Sequence, residues 1–151
     1  MTTKLDDTNK QIIRELIDGR KPFSAIAEHQ GITENTVRSR VNKLIDEGIL
    51  SITGLVDPEK FSGMQVVIMG VKLKTLDLEQ KAIEFTQLRG VVSAAVVTGR
   101  YDLVCELVLN EDDGLSLLDF FKYELGKVSE VADVETFIVY QSHNLKVPYI
   151  L

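Results

Sequence analysis

Residues 33–43 combine short polar side chains with cations, and DNA-reading helices use the same combination. Asn can pair with adenine, Arg can pair with guanine or phosphate, and Lys binds phosphates. Residues 36–43 hold three cations and no acid. The residues that we predict to contact DNA are Thr33, Asn35, Thr36, Arg38, Ser39, Arg40, Asn42 and Lys43.

Alternatives remain open for this segment. Most amphipathic helices with a few Lys and Arg residues are ordinary solvated helices that bind no nucleic acid. Arg40 also has a structural interpretation, in which it pairs with an acid of the first helix. Arg20 and Lys21, which precede the second helix, either touch the DNA backbone or are only solvated.

A second candidate site is the segment Thr98-Gly99-Arg100-Tyr101-Asp102, which separates two apolar stretches. Gly99 permits a positive φ or a close backbone approach, so free N–H groups there could hold a carboxylate. Asp102 could accept an ammonium group, and an amino acid presents both charges. The same residues suit an ordinary hairpin turn, and from the residues alone that interpretation is the stronger one.

The elements that position the first candidate site begin with two predicted helices. Asp6 or Asp7 is a good N-cap for the first helix, and Gly19 is placed to end it. A second, short helix starts at Ser24 and is closed by Gly31. The apolar residues of the first helix recur at helical spacing and are Ile12, Ile13, Leu16 and Ile17.

A third predicted helix is capped by Thr33 and stopped by Gly48. The apolar stripe that we expect it to bury consists of Val37, Val41, Leu44 and Ile45. Two helices joined by a tight turn that contains Gly31 form a helix-turn-helix pattern. Residues 1–50 therefore predict a three-helix, winged-helix-like DNA-binding domain.

After a linker at 51–63, apolar residues alternate with period two. Strands are predicted at 64–73, 91–97, 103–109 and 131–141, with one helix around 78–88. A further helix, capped by Asp112 or Asp113, carries Leu117, Leu118, Phe121 and Leu125. The order βαββαβ predicts a ferredoxin-like domain over 64–151 and an α+β fold for the chain. Residues 147–151 can add an edge strand.

The sheet of the second domain has apolar residues on both faces. Helices cover only one face of such a sheet, yet Val66, Ile68, Val104 and Val108 lie on the other. An uncovered apolar face predicts a homodimer or a larger assembly. The alternative is that the N-terminal unit or the C-terminal tail covers this face.

Several motifs together resemble the Lrp/AsnC family of transcriptional regulators, over nearly the whole chain and in the family's order. Asn9 stands where the family usually has an acid, and Thr33 stands where it often has Ser, but both keep a hydrogen-bonding side chain. The matching motifs are Leu5-Asp6-x-x-Asn9-x-x-Ile12-Ile13, Gly19-Arg20, Ile26-Ala27, Gly31-Ile32-Thr33, Val37-x-x-Arg40-Val41-x-x-Leu44, Gly48-Ile49, Asp57-Pro58 and Thr98-Gly99-x-Tyr101-Asp102.

The resemblance implies a DNA-binding helix-turn-helix joined to an amino-acid-sensing βαββαβ domain that binds its effector between dimers. It shifts the interpretation of Thr98, Gly99, Arg100, Tyr101 and Asp102 toward an effector site, with Thr136 as a weaker second candidate. Family members form dimers that assemble further, often to octamers. A two-fold dimer presents two identical helices, so the expected partner is double-stranded DNA with a pseudo-palindromic operator.

Composition narrows the remaining classes of function. The net charge is -6, with -1 in residues 1–60 and -5 in residues 61–151, so general coating of nucleic acid is not expected. No apolar run approaches the roughly 20 residues that span a bilayer, and no apolar signal core follows Met1. We expect a cytoplasmic protein without a cofactor, because the lone Cys105 suits neither a disulfide nor a cysteine-rich metal site.

Two rival functions belong to other classes. Some haem-pathway decarboxylases share this family's architecture, but they need a cationic pocket with His, and the second domain holds only His143. A stand-alone metabolite-binding protein is the other rival, and the complete helix-turn-helix pattern argues against it. Cys105 alternates with Leu103 and Leu107 and is therefore predicted to be a core residue.

Overall fold

The computed structural model describes residues 5–149, which form two compact units that divide between Thr53 and Gly54. The first unit contains three helices and, within residues 5–53, no strand. The helices of the chain are α1 (Asp7–Glu15), α2 (Phe23–Gln30), α3 (Glu34–Asp46), α4 (Leu78–Thr86) and α5, which begins at Leu117–Asp119. The strands are β1 (Leu55–Val56), β2 (Met64–Leu73), β3 (Val91–Val96), β4 (Leu103–Asn110), β5 (Val131–Ile138) and β6 (Val147–Pro148).

Helix α1 is shorter than the sequence predicts. Asp6 caps it by accepting the Asn9 N–H, but the helix ends at Glu15 and not at Gly19. After the helix, the Asp18 carboxylate accepts the Arg20 N–H at 3.2 Å and forms a turn around Gly19. Ile17, one of the apolar residues expected on this helix, lies after its C-cap and is 87% exposed.

Helices α2 and α3 are joined as predicted by a glycine turn. Gly31 has a φ of 65°, which ends α2, and the Thr33 side chain caps α3 by accepting the Thr36 N–H. Ile45 is exposed, so its predicted burial is wrong; the stripe that α3 buries is narrower than expected. The core of this unit consists of Ile12, Ile26, Ala27, Val37 and Val41, with Leu44 also buried.

The second unit has the predicted βαββαβ order. Its four-stranded sheet is antiparallel throughout, in the order β3-β4-β2-β5, and the helices cover one face. Alternate residues of β2 and β4 face those helices, so Val67 and Leu107 are fully buried. Strand β6 pairs with β1 in a separate two-stranded sheet and adds no edge to the larger one. Residues 150 and 151 of the predicted edge strand lie outside the described residues.

The last helix departs from its predicted cap. Ser116 caps it together with Asp119, whereas Asp113 is bound by the Asn110 side-chain amide in a preceding turn. The helix continues as a π-helical turn over Phe120–Glu124. Phe120, at the start of this turn, is fully buried, whereas Leu118 is 74% exposed.

The second face of the sheet is covered in one half by the tail of the chain. Val147 packs against Val66 and Val108, which are opposite each other on β2 and β4. For this half of the face, the alternative that the C-terminal tail covers it is therefore correct. In the other half Ile68 and Val104 are only half-buried, and Phe137 is 49% exposed.

Within residues 5–149 no helix is both long enough and apolar enough to cross a membrane.

Candidate functional site

The outward face of α3 carries most of the predicted DNA-contacting side chains. Asn35, Arg38, Ser39, Asn42 and Lys43 are all exposed and line one shallow groove along the helix. They share this face because α3 buries Val37, Val41 and Leu44 on the opposite side. The structure therefore brings five of the eight predicted residues together on one accessible surface.

The first turn of α3 holds Thr33 and Thr36. The two hydroxyl oxygens are 2.8 Å apart, and the Thr36 N–H donates to Thr33 Oγ1 at 3.2 Å. One helix-terminal N–H is thus satisfied inside the chain, while both threonines remain at the end of the helix where an anion is favoured.

Two cations on this face have partners on the same helix. Arg38 Nη2 donates to Glu34 Oε1 at 2.6 Å, and the Arg38 guanidinium lies 5.4 Å from the centre of the Phe23 ring. Lys43 Nζ lies 3.7 Å from Glu47 Oε1. All four charged side chains are substantially exposed, so these surface pairs are weak and a stronger anion can replace the acid.

Arg40 adopts the structural alternative. Its Nη1 donates to Asp6 Oδ2 at 2.6 Å and to Asn9 Oδ1 at 2.9 Å, which ties α3 to the start of α1. The Arg40 hydrogen bond is the main cause that lowers the pKa of Asp6. Asn9 can replace the acid that the family usually has at this position, because its amide oxygen also accepts a hydrogen bond from the Arg40 guanidinium.

The side chains of Lys21 and His29 also have a partner within the first unit. Both contact the Glu15 carboxylate, and the Lys21 hydrogen bond is the larger cause that lowers the pKa of Glu15. Arg20, in contrast, projects almost fully into solvent. Of the two loop cations, Arg20 is the more available to a DNA backbone, because its described ion pair is a 4.0 Å contact with the exposed Asp18.

The segment Thr98–Asp102 forms the hairpin connection between β3 and β4. Gly99 has a φ of 122°, and Thr98, Gly99 and Arg100 are exposed. Asp102 is engaged in the fold: its Oδ2 accepts the Leu73 N–H at 2.8 Å, and its Oδ1 lies 3.5 Å from Lys72 Nζ. The Leu73 hydrogen bond is the main cause that lowers the pKa of Asp102. A ligand ammonium at Asp102 would have to share the carboxylate with these two partners.

Tyr101 is fixed over the uncovered half of the sheet. Its hydroxyl donates to the Glu135 carboxylate, and its ring lies against Gly70, where a Cβ atom would be 2.7 Å from the ring carbons. Arg100 Nη2 also contacts Glu135, at 3.1 Å. A glycine inside a strand signals such a close approach, so Gly70 was detectable in the sequence, whereas nothing marked Glu135 as the partner.

Thr136 does not share a face with Tyr101. It pairs with Met69, which points toward the helices, and its neighbour Glu135 points toward Tyr101. The structure thus separates the weaker effector candidate from the turn by the thickness of the sheet.

Cys105 is fully buried among Leu and Met side chains, as predicted. Burial raises the pKa of its thiol to about 12, so it is neither a nucleophile nor a metal ligand at neutral pH. Within residues 5–149 no group of three or more His, Cys, Asp or Glu residues is arranged to hold a metal ion.

Comparison with known families assigns both units. The model of the AsnC-type helix-turn-helix domain matches residues 5–45, and that of the Lrp/AsnC ligand binding domain matches residues 66–146. The chain belongs to the Lrp/AsnC family, and it is a helix-turn-helix transcriptional regulator with a ligand-binding domain. The resemblance and the α+β fold predicted from the sequence are confirmed.

Individual relatives span most of the chain. The HTH-type transcriptional regulator FL11 of Pyrococcus horikoshii is 28% identical over 95% of this chain and 94% of its own length. Ptr1 of Methanocaldococcus jannaschii is 34% identical over 74% of this chain and 76% of its own. These relatives are named as regulators, not as enzymes. A Neisseria meningitidis transcriptional regulator in complex with L-Met has the same fold, with a TM-score of 0.68, 21% identity and coverage of 98% and 96%.

Proposed function

We propose that this regulator reads a pseudo-palindromic operator in double-stranded DNA through the outward face of α3. One observation carries the proposal: short amides and hydroxyls of Asn35, Ser39 and Asn42 are exposed between two exposed cations, Arg38 and Lys43. Short polar groups reach base edges in the major groove, and flexible cations reach flanking phosphates.

The eight predicted contacts have different roles in this proposal. Arg38 and Ser39 influence the choice of base, and Lys43 binds phosphate without regard to sequence. Thr33 and Thr36 present the positive end of the helix to a phosphate. Arg40 contributes indirectly, because its bonds to Asp6 and Asn9 hold α3 against α1.

The operator symmetry rests on a homodimer. Support comes from the uncovered half of the sheet, where Ile68 lies opposite Phe137 and Val104 lies opposite Ala95. This surface is smaller than the sequence predicted, because Val66 and Val108 are already covered by the tail. We include assembly of dimers into a higher oligomer, up to an octamer, in the proposal, and DNA as the partner favours a cytoplasmic location.

We further propose that an amino acid is the effector and that it binds at an oligomer interface beside the Thr98–Asp102 turn. The L-Met complex of the Neisseria relative supports this ligand class. The exposed backbone of Thr98, Gly99 and Arg100 is suited to a carboxylate, and Asp102 holds the turn in place through Leu73. An effector acts only through a difference in affinity between two assemblies, and a tenfold change in operator affinity needs about 1.4 kcal/mol of coupling.

A second candidate is a regulator that responds to no ligand. The bonds of Tyr101 to Glu135 and of Asp102 to Leu73 favour it, because they use the two side chains that were expected to recognise an effector.

Three measurements test the proposal. Selection from a random duplex pool should enrich a pseudo-palindromic site, and light scattering should give a dimer or a multiple of one. A thermal-shift screen of the twenty amino acids should yield at least one stabilising hit. A clean monomer would contradict the dimer and the operator symmetry, and an unmoved melting temperature with every amino acid would favour the regulator without a ligand.

A further inference from the structure

The exposed charge pair of Arg38 and Glu34 differs from the other ion pairs described in the first unit, because its guanidinium also lies over the Phe23 ring. Glu34 precedes Arg38 by one helical turn of α3, and Phe23 belongs to α2. Glu34 is an acid at the start of a helix that is proposed to approach a polyanion, and it was absent from the predicted contacts.

We propose that Glu34 is a specificity-determining residue of the DNA-reading surface and that it acts through Arg38. It weakens binding to DNA of random sequence and holds the Arg38 guanidinium in the orientation that reads a base. This inference rests on the proposed function of α3.

The first part of the argument is geometric. Phe23 is half-buried and packs against the core of the first unit, so its ring is a fixed support for the guanidinium. Glu34 Oε1 accepts a hydrogen bond from Arg38 Nη2 at 2.6 Å. A guanidinium has five N–H donors in a planar fork, so its other donors remain available in a set direction. Arg38 and Glu34 are both about half exposed, so a base edge can approach them.

The second part is electrostatic. Affinity for random DNA comes almost wholly from cations that displace counterions from phosphates. A carboxylate in contact with Arg38 offsets part of the charge that draws this side chain to a phosphate. Hydrogen bonds from Arg to guanine depend on direction as well as charge, so they are weakened less. The ratio of operator affinity to affinity for random DNA therefore increases.

A purely structural role for Glu34 must be separated from this one. An acid in the first turn stabilises a helix through its dipole, so loss of Glu34 lowers the stability of α3 slightly whatever its effect on DNA. Glu47 supplies a matched control. It lies at the C-cap of the same helix and pairs with Lys43 at a longer distance, 3.7 Å, without an aromatic support.

The test compares Glu34→Gln, Glu47→Gln, Arg38→Ala and the double variant Glu34→Gln/Arg38→Ala with the wild type. Binding to the operator selected by the wild type and to a random duplex is measured by fluorescence anisotropy over a range of salt concentrations. Melting curves of each variant confirm that it is folded.

We expect Glu34→Gln to increase affinity for random DNA several-fold more than affinity for the operator. On random DNA, the slope of log affinity against log salt should steepen by about 0.9, which is one additional phosphate contact. Glu47→Gln should raise both affinities by the same factor. The double variant should bind random DNA no more tightly than Arg38→Ala.

Two results would overturn the inference alone: an equal gain on both DNAs for Glu34→Gln, or a gain that survives in the double variant. Failure of the wild type to enrich any sequence would instead remove the proposed function and this inference together.

Discussion

The outward face of α3 and the Thr98–Asp102 turn contain similar kinds of side chain, but they differ in how much of each remains available. On α3 the amides, the hydroxyl of Ser39 and two weakly paired cations face solvent. In the turn, Tyr101 and Asp102 are already bonded to Glu135 and Leu73. Residue type alone therefore identifies a surface that can bind, whereas hydrogen bonds within the chain decide whether it is free to do so.

The difference has a physical cause. A single helix that buries one stripe must leave its other face exposed, and α3 has no further layer over it in its unit. The turn lies at the end of a sheet, where backbone groups without a strand partner need side-chain acceptors. Asp102 supplies such an acceptor for Leu73, so substitutions in the turn should alter stability first, and substitutions on α3 should alter DNA binding first.

The largest effect on stability is expected at Gly70, which lies against the Tyr101 ring. Gly70→Val should destabilise the protein by about 3 kcal/mol, because a side chain at Gly70 would overlap the Tyr101 ring. Urea denaturation measures the loss. Gly126→Ala is the matched control, since nothing lies within 4 Å of a Cβ atom there, and its stability should be unchanged or slightly higher. Equal stability of the two variants would show that the Tyr101 ring is not fixed over the sheet.

In contrast to Gly70→Val, Arg38→Ala should weaken DNA binding and leave stability almost unchanged. Loss of a base contact should weaken operator binding by about 1–3 kcal/mol. The urea midpoint should stay close to that of the wild type, because Arg38 is exposed. Arg14→Ala removes the same charge from α1 and should affect binding much less. An operator affinity that Arg38→Ala leaves unchanged would contradict the assignment of α3 as the reading helix.

Asp102 should affect stability in a pH-dependent way. Its pKa is lower in the folded chain than its ordinary value of 3.8, so its charge stabilises the fold above that value and ceases to do so as the pH falls through the folded pKa. Asp102→Asn keeps an acceptor for the Leu73 N–H and should be milder than Asp102→Ala. The stability difference between the wild type and Asp102→Asn should be constant above about pH 5 and shrink below it.

The same variant tests the effector site. If an amino acid stabilises the wild type, an undiminished thermal shift in Asp102→Asn would show that Asp102 positions the turn and does not bind the ammonium. Loss of the shift, with the fold intact, would return Asp102 to direct recognition and remove the contrast with α3.

The smallest effect on DNA affinity is expected at Lys43. Lys43→Ala should lower affinity for operator and random DNA by the same modest factor and reduce the salt slope by about 0.9, the value for one phosphate contact. Lys60→Ala removes an exposed lysine from the second unit and should leave both affinities unchanged. A loss confined to the operator would make Lys43 a base-reading residue.

Much of the fold was predictable because its signals act between near neighbours. Asp6 and Thr33 each cap a helix by accepting the N–H of the residue three positions later. Gly31 ends α2 through its own positive φ. The errors fall where a local signal competed with another. Helix α1 ends at Glu15, well before the predicted Gly19, and Ser116 caps the last helix where Asp112 or Asp113 was predicted.

The sequence of this chain contained the order of its elements, the two units and the exposed polar face of α3, because period and capping express themselves within a few residues. Which charged groups stay free was decided only by the tertiary structure. The sequence left open whether Arg40 pairs with an acid of the first helix, and no local pattern indicates that Tyr101 and Glu135, 34 residues apart, meet. Such contacts arise when packing brings distant elements together, and an acceptor used in this way is no longer available to DNA or to an effector.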